Sequence, residues 1–152
     1  MLVNSRNGAN GVVSQRGAGL IEVMVAVLIL GIGLLGVAAM QATALRNSQS
    51  ALERSQAVMQ TYAILDAMRV NLPVARIGGY DLTSMTCTAP AQGDLAADDL
   101  NYWVESLKAS LDDTACGQIV CSSADCLIRV RWDDSRGSGG GTTQTVETRT
   151  KL

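Results

Sequence analysis

Two sets of residues could take part in chemistry: a single glutamate within an apolar segment, and four cysteines beyond that segment. One carboxylate, Glu22, stands near the start of an apolar run from Leu20 to Met40. A carboxylate inside an apolar helix costs about 2.5–3.5 kcal/mol on membrane-insertion scales, so its presence there needs a specific reason. The second set consists of the four cysteines, all beyond the apolar run: Cys87, Cys116, Cys121 and Cys126. An even number of cysteines in a small exported domain indicates disulfides and an oxidising compartment such as a periplasm.

The apolar run has the length of a membrane-spanning helix. About 21 residues at ~1.5 Å per residue span about 31 Å, the thickness of the hydrocarbon core of a bilayer. Arg6 and Arg16 precede the run, and no acidic residue does. Three interpretations of this segment are possible. It could be a secretory signal that is cut near Ala42, a plain signal-anchor helix, or a signal that is cut before the helix. The length of the run and the presence of Glu22 in it argue against the secretory signal.

The residues Gly17-Ala18-Gly19-Leu20-Ile21-Glu22 resemble the class III signal of type IV pilins. In that family a glycine precedes the cleavage point, and a glutamate is fifth in the mature chain. The resemblance implies that a prepilin peptidase cuts between Gly17 and Ala18 and methylates the new amine of Ala18. It also implies that Glu22 faces the amine of a neighbouring subunit, because a buried carboxylate is tolerated when it is paired.

The composition of the chain limits its chemistry. The net charge of −2 gives no indication of a basic face for nucleic acid. The absence of histidine excludes both catalysis and metal binding through histidine side chains. A zinc site of four thiolates is formally possible, but an exported chain favours disulfides. The paired aspartates at 98–99, 112–113 and 133–134 lack the ligand spacing of a calcium loop, so we interpret them as turns and helix caps. We therefore expect no enzyme, no metal and no cofactor.

A single long helix is predicted from about Ala18 to Arg69. Residues 41–69 contain neither glycine nor proline, and Pro73 should end the helix near Asn71. An apolar stripe in this half predicts packing against a globular domain. The stripe consists of Leu45, Leu52, Val58, Met59, Tyr62, Leu65 and Met68. In the membrane half, the glycines at 31, 33 and 36 are compatible with close helix packing or with local melting of the helix.

The rest of the chain predicts a small sheet and one further helix. Residues 74–92 have the composition of a loop with at most short strands. Asp94, Asp98 and Asp99 suit the start of a helix, where carboxylates cap free N–H groups and complement the dipole. The apolar face of this helix consists of Leu100, Trp103, Val104, Leu107 and Leu111. Period-two alternation then predicts three antiparallel strands, at 119–120, 126–133 and 142–152. The face of the middle strand with Cys126, Ile128, Val130 and Trp132 should pack on the long helix.

The turn between the first two of these strands bears on the cysteine pairing. If Ser122–Asp125 is a four-residue hairpin loop, Cys121 and Cys126 lie opposite each other within disulfide range. Cys87 would then pair with Cys116. A slip of one residue in the register would turn Cys121 away, and Cys87 could pair with Cys121 or Cys126 instead.

The order of anchor, cysteine loop, Asp-Leu-x-x-Trp helix, cysteine hairpin and Trp-Asp-Asp is similar to the PilV-type minor pilins. This resemblance implies an α+β, type IV pilin-like fold with a leader (1–17), a transmembrane helix (18–40), an amphipathic helix (41–70) and a globular domain (71–152). It implies a minor pilin anchored in the inner membrane, with its N-terminus cytoplasmic and its domain periplasmic, and then incorporated into a pilus. The implied partners are the prepilin peptidase, other minor and major pilins, the inner-membrane assembly platform and membrane lipid. A pseudopilin of type II secretion and a membrane-tethered periplasmic binding domain are the alternatives.

Overall fold

The computed structural model of the protein describes residue 17 and residues 19–122, 125–137 and 139–152. Its elements are α1 (Leu20–Val70), α2 (Leu72–Arg76), β1 (Leu82–Thr86), α3 (Leu95–Ser110), β2 (Cys116–Cys121), β3 (Cys126–Trp132) and β4 (Gln144–Thr150). The chain divides into two compact units, Met1–Met40 and Gln41–Leu152. The predicted α+β fold, with a long N-terminal helix and a small antiparallel sheet, is confirmed.

Helix α1 is 51 residues long and ends at Val70, close to the predicted boundary. The predicted start at Ala18 and the predicted leader residues 1–16 lie outside the described residues. After Asn71 the chain does not continue as a loop but starts α2, which has Pro73 in its first turn. Proline is tolerated there because the first N–H groups of a helix have no intrahelical partner.

The buried face of α1 differs from the predicted stripe. The residues of α1 that are buried are Glu53, Ala57, Thr61, Ile64, Leu65 and Met68. By contrast, Leu45, Leu52 and Met59 are 71%, 57% and 53% exposed. At 100° per residue these three residues lie roughly 180° around the helix from the buried face. The prediction was wrong for these three and for exposed Val58 and Tyr62, whereas Leu65 and Met68 of the predicted stripe are buried. Small or polar residues complete the buried face, so it is less apolar than the predicted one.

The sheet has four strands in the order β1-β2-β3-β4, and every neighbouring pair is antiparallel. The prediction of three strands missed β1, which lies in the segment interpreted as a loop and pairs with β2 through an irregular register. Strand β2 is also longer than predicted. The side chains of Cys126, Ile128, Val130 and Trp132 on β3 are all buried, as their alternation predicts.

Helix α3 and the sheet complete the core of the Gln41–Leu152 unit. Asp94 caps α3, since its carboxylate accepts a hydrogen bond from the Ala97 N–H at 2.9 Å. Trp103 is buried as a core residue, and its indole N–H donates to the Gln60 carbonyl of α1 at 3.0 Å. Its ring lies so close to β2 that a Cβ at Gly117 would come within 2.4 Å of it. Glycine at this position therefore allows α3 to pack directly on the sheet.

Two disulfides join parts of this unit. Cys121 lies opposite Cys126 across the β2–β3 hairpin and is bonded to it. Cys87 is bonded to Cys116, so the segment after β1 is tied to the start of β2 across α3. Of the predicted hairpin loop, Ser123 and Ala124 lie outside the described residues, while the Ser122 N–H donates to the Asp125 carbonyl at 2.8 Å.

Loss of the Cys87–Cys116 bond should destabilise the domain more than loss of the Cys121–Cys126 bond. The first bond joins residues 29 apart in sequence and the second joins residues only 5 apart. On the chain-entropy model, closing loops of these sizes contributes about 3.6 and about 2.2 kcal/mol to the free energy of unfolding. We expect Cys87→Ser to lower that free energy more than Cys121→Ser, as measured by denaturant unfolding of the full chain in detergent.

The two variants are matched, because each leaves a buried partner thiol, Cys116 or Cys126, in place. Peptide mapping without reduction tests the pairing itself. A cross-linked peptide that joins Cys87 to Cys126 would contradict the hairpin register.

Candidate functional site

The residues predicted to direct processing lie at the start of α1. Gly17 and Gly19 are exposed, and Ala18 is outside the described residues. Glu22 is in the first turn of α1, where its backbone N–H donates to the Gly19 carbonyl at 2.9 Å. A negative charge in the first turn is favourable by about 0.3–1 kcal/mol, because it interacts with the positive end of the helix dipole. The helix dipole therefore stabilises the negative charge of Glu22 at the start of the apolar run.

The helix that carries Glu22 presents apolar side chains on every side. All residues from Gly19 to Met40 are exposed, and most of them are large and apolar. In the described part of the chain, α1 is the one helix that is long and apolar enough to cross a membrane. A helix that is hydrophobic all round needs a bilayer or other protein surfaces around it. This segment therefore has the properties of a membrane anchor.

The predicted cysteine sites belong to the other unit and form the two disulfides described above. The structure thus separates the predicted residues into a processing segment at the start of α1 and structural bonds in the domain. Within the described residues, no group of three or more acidic or cysteine side chains has the geometry of a metal site.

A cluster of polar side chains in the domain was missed by the sequence interpretation. This polar clasp consists of Ser50 and Glu53 on α1, and Trp132, Asp134 and Arg136 at the end of β3. The Trp132 indole N–H donates to the Glu53 carboxylate at 3.2 Å, and the Arg136 guanidinium lies 3.5 Å from its other oxygen. The Ser50 hydroxyl donates to the Asp134 carboxylate at 2.5 Å.

The loop after β3 folds tightly around Asp134. Its backbone N–H donates to the Gly141 carbonyl at 3.1 Å, and its carbonyl accepts from the Gly137 N–H at 3.0 Å. A Cβ at Gly140 would lie 1.9 Å from the Asp134 carbonyl oxygen, so only glycine fits at that position. Glycine at this position is thus required for the loop to close over a buried carboxylate.

The polar clasp has a structural role in holding the β3–β4 loop on α1. Glu53 and Asp134 are buried, and both of their carboxylates are hydrogen-bonded. Among the described residues, no buried side-chain nitrogen or oxygen lacks a hydrogen-bond partner. The interpretation of residues 133–134 as turn residues did not include the burial of Asp134. The missed signal was the combination of tryptophan, aspartate and a glycine run.

The neighbouring Asp133 is a turn residue, as predicted. Its carboxylate accepts a hydrogen bond from the Ser135 N–H at 2.8 Å, which lowers the pKa of Asp133. Its own N–H donates to the Asp112 carboxylate at 3.1 Å. The Asp112 carboxylate also accepts from the Thr114 N–H at 2.6 Å, in the turn that follows α3. These contacts cap turns of the backbone, which is the role predicted for the aspartates at these positions.

A second cluster of polar side chains holds the N-terminal part of α3 in place. The Tyr80 side chain is buried, and its hydroxyl donates to the Asp99 carboxylate at 2.6 Å and accepts from the Asn71 amide at 3.2 Å. Burial and the hydrogen bond to Asp99 raise the pKa of Tyr80 to about 12. Asp99 was predicted to cap α3, but it binds Tyr80 instead. This contact ties α3 to the segment between α1 and β1.

The polar clasp predicts different effects for two adjacent aspartates. Asp134→Ala should lower the free energy of unfolding by about 1–3 kcal/mol, because it leaves the Ser50 hydroxyl without its partner and opens a buried site. Asp133→Ala is the matched control at a more exposed position, and we expect a smaller change. Thermal and denaturant unfolding of the two full-length variants would measure the difference. Equal destabilisation would show that the clasp does not hold the loop.

Comparison with known proteins bears on the N-terminal segment. Residues 13–38 match the family model described as the prokaryotic N-terminal methylation motif. Curated proteins and solved structures gave no match to this chain. The matched residues include the predicted cleavage point between Gly17 and Ala18, Glu22, and most of the exposed apolar part of α1. Together, the motif and the fold support a type IV pilin-like protein that is processed by a prepilin peptidase and acts in a pilus or pseudopilus.

Proposed function

We propose that the protein is a minor pilin of a type IV pilus that takes part in pilus assembly or its initiation. The observation that carries the proposal is the match of residues 13–38 to the N-terminal methylation motif, immediately before and within an exposed apolar helix. The peptidase cuts between Gly17 and Ala18 and methylates Ala18. The anchor then leaves the inner membrane as its helix packs among other pilin helices.

Glu22 has a specific part in this mechanism. Its carboxylate lies in the first turn of an apolar helix, where burial within a filament would remove it from water. The new amine of Ala18 on a neighbouring subunit supplies the opposite charge that makes this burial tolerable. The partners are therefore other minor and major pilins, after delivery by the inner-membrane assembly platform.

The domain supports a role in contact rather than in catalysis. It lies on the periplasmic side in this proposal, and two disulfides and the polar clasp stabilise a core formed by one helix face, α3 and four strands. The order of its cysteines and tryptophans favours the PilV-type minor pilins. A pseudopilin of type II secretion would carry the same N-terminal motif, so recovery of the protein in sheared pili distinguishes the two.

Processing is the first prediction of this proposal. The mature protein should begin at N-methylated Ala18, and intact-mass spectrometry of protein from membranes and from sheared filaments would measure it. Gly17→Val should leave the leader attached, because the glycine before the cut is part of the signal. Gly19→Ala is the control, since nothing lies within 4 Å of the added methyl group. A mature N-terminus near Gln41, or an intact Met1 in the wild-type protein, would contradict the proposal.

Assembly is the second prediction. Glu22→Ala should insert into the membrane as well as the wild type does, because removal of a carboxylate from an apolar span favours insertion. Its recovery in purified filaments should fall by about tenfold or more, since a hydrogen bond to a charged group is worth about 1.5–3 kcal/mol. Glu22→Gln, which keeps the size of the side chain, should show the same loss. Wild-type amounts of both variants in filaments would exclude this role for the charge.

A further inference from the structure

One disulfide lies on the outer face of the sheet and the other on the face that packs in the core. Cys121 lies opposite Cys126, which is on the buried face of β3. Cys116 lies opposite Arg131, and residues directly opposite each other share a face. Successive side chains of a strand point to opposite faces, and Cys116 and Cys121 are an odd number of residues apart on β2. The Cys87–Cys116 bond is therefore called the outer disulfide, and the Cys121–Cys126 bond the inner disulfide.

The two cysteines of the outer disulfide differ in access. Cys87 is exposed, whereas Cys116 is only 1% exposed. In thiol–disulfide exchange, a thiolate attacks one sulfur of the bond, and the other sulfur leaves as a thiolate. An attacking thiol can reach Cys87 from solvent, so the sulfur that leaves is that of Cys116.

A cation lies against both sulfurs of the outer disulfide. The Arg131 guanidinium is 3.5 Å from the Sγ of Cys116 and 3.8 Å from the Sγ of Cys87. Among the described residues, no carboxylate forms an ion pair with Arg131, whereas Arg129 on the same face of β3 pairs with Glu147 at 2.7 Å. A neighbouring cation stabilises a thiolate, and a better stabilised thiolate leaves faster. Arg131 is thus placed to promote departure of the Cys116 sulfur.

The inner disulfide has different surroundings. Cys126 is 1% exposed and Cys121 is half-buried. Both line a cavity of about 170 Å³, whose charged residues are Arg76 and Asp125, one of each sign. In the part of the chain that the structure describes, the contacts between a guanidinium and a disulfide sulfur are those of Arg131. The inner disulfide therefore has neither an exposed cysteine nor a cation in contact with its sulfurs.

We propose that the outer disulfide is a thiol-exchange site, at which a small thiol becomes bonded to Cys87. The thiolate attacks the Sγ of Cys87 and forms a mixed disulfide, while the electron pair of the broken S–S bond goes to the Sγ of Cys116. The Cys116 thiolate then takes a proton from solvent and donates it in a hydrogen bond to the Thr114 carbonyl, which lies 3.1 Å away. One disulfide replaces another, so the exchange needs no oxidant or reductant. It depends on neither processing nor filament assembly.

The domain has contacts that remain when this bond opens. The Asn101 amide of α3 donates to the Pro90 carbonyl at 2.6 Å and so holds the segment that follows Cys87. The inner disulfide still joins β2 to β3. The outer disulfide closes the longer loop, which disfavours its net loss at equilibrium, but access and Arg131 govern the rate of exchange. A folded domain that carries a thiol on Cys87 is therefore the expected product.

Reaction of the full chain in detergent with 2-mercaptoethanol tests the exchange site. Free thiols are trapped with iodoacetamide after short reaction times, and peptide mass mapping then locates each modification. The first product should carry mercaptoethanol on Cys87 and the trapping group on Cys116. Reaction of the inner disulfide in the folded protein should be slower by about tenfold, since it lacks both access and a neighbouring cation.

Variants of Arg131 test the role of the cation. Arg131→Gln should slow exchange at the outer disulfide by about threefold or more, whereas Arg131→Lys, which keeps the charge, should react at nearly the wild-type rate. Arg129→Gln is the matched control on the same strand face, and its rate should not change. Melting temperatures show that the variants compared are folded. Mercaptoethanol on Cys116, equal rates at the two disulfides, or a wild-type rate for Arg131→Gln would overturn the proposal.

Discussion

The domain depends on the burial of one narrow face of α1 against the sheet. Ile64, Leu65 and Met68 supply the large apolar side chains of this face, and each contributes about 1.5–3 kcal/mol by leaving water. Towards the start of the domain the face changes character, because Ala57 is small and Glu53 and Ser50 are polar. The packing there is possible only because the end of β3 and its glycine-rich loop bring matching partners. Hydrophobic burial fixes one end of the contact, and hydrogen bonding fixes the other.

The polar clasp shows why a buried glutamate can be retained at this place. A carboxylate removed from water without partners would cost several kcal/mol, and its replacement by an apolar residue would remove that cost. Here Glu53 accepts from the indole of Trp132 on one oxygen and faces the guanidinium of Arg136 with the other, so both oxygens have a partner and the charge is paired. The indole nitrogen also finds its partner in this contact, which allows a large aromatic ring to be buried completely. The polar clasp thus gives hydrogen-bond partners to buried polar side chains of both α1 and the end of β3.

Sequence periodicity predicted most of the elements but not every partner. The length of α1, the start of α3 at Asp94 and the inward face of β3 follow from local patterns that the structure retains. Strand β1 could not be predicted, because its five residues have no clear alternation and its pairing with β2 is a long-range contact. The burial of Asp134 was missed for a related reason. Its partners are Ser50, which is 84 residues away, and glycine backbone that becomes significant only when the loop closes.

The error about the face of α1 follows from the presence of two stripes on one helix. Leu45, Leu52 and Met59 form the more regular apolar stripe in the sequence, and a single domain would be expected to bury it. The structure instead buries the less regular face, whose alanine, threonine and serine allow close approach of the sheet and α3. Regular spacing of large apolar residues is therefore not enough to identify the face that a helix buries, because the fit of small and polar residues to the rest of the domain decides which face packs.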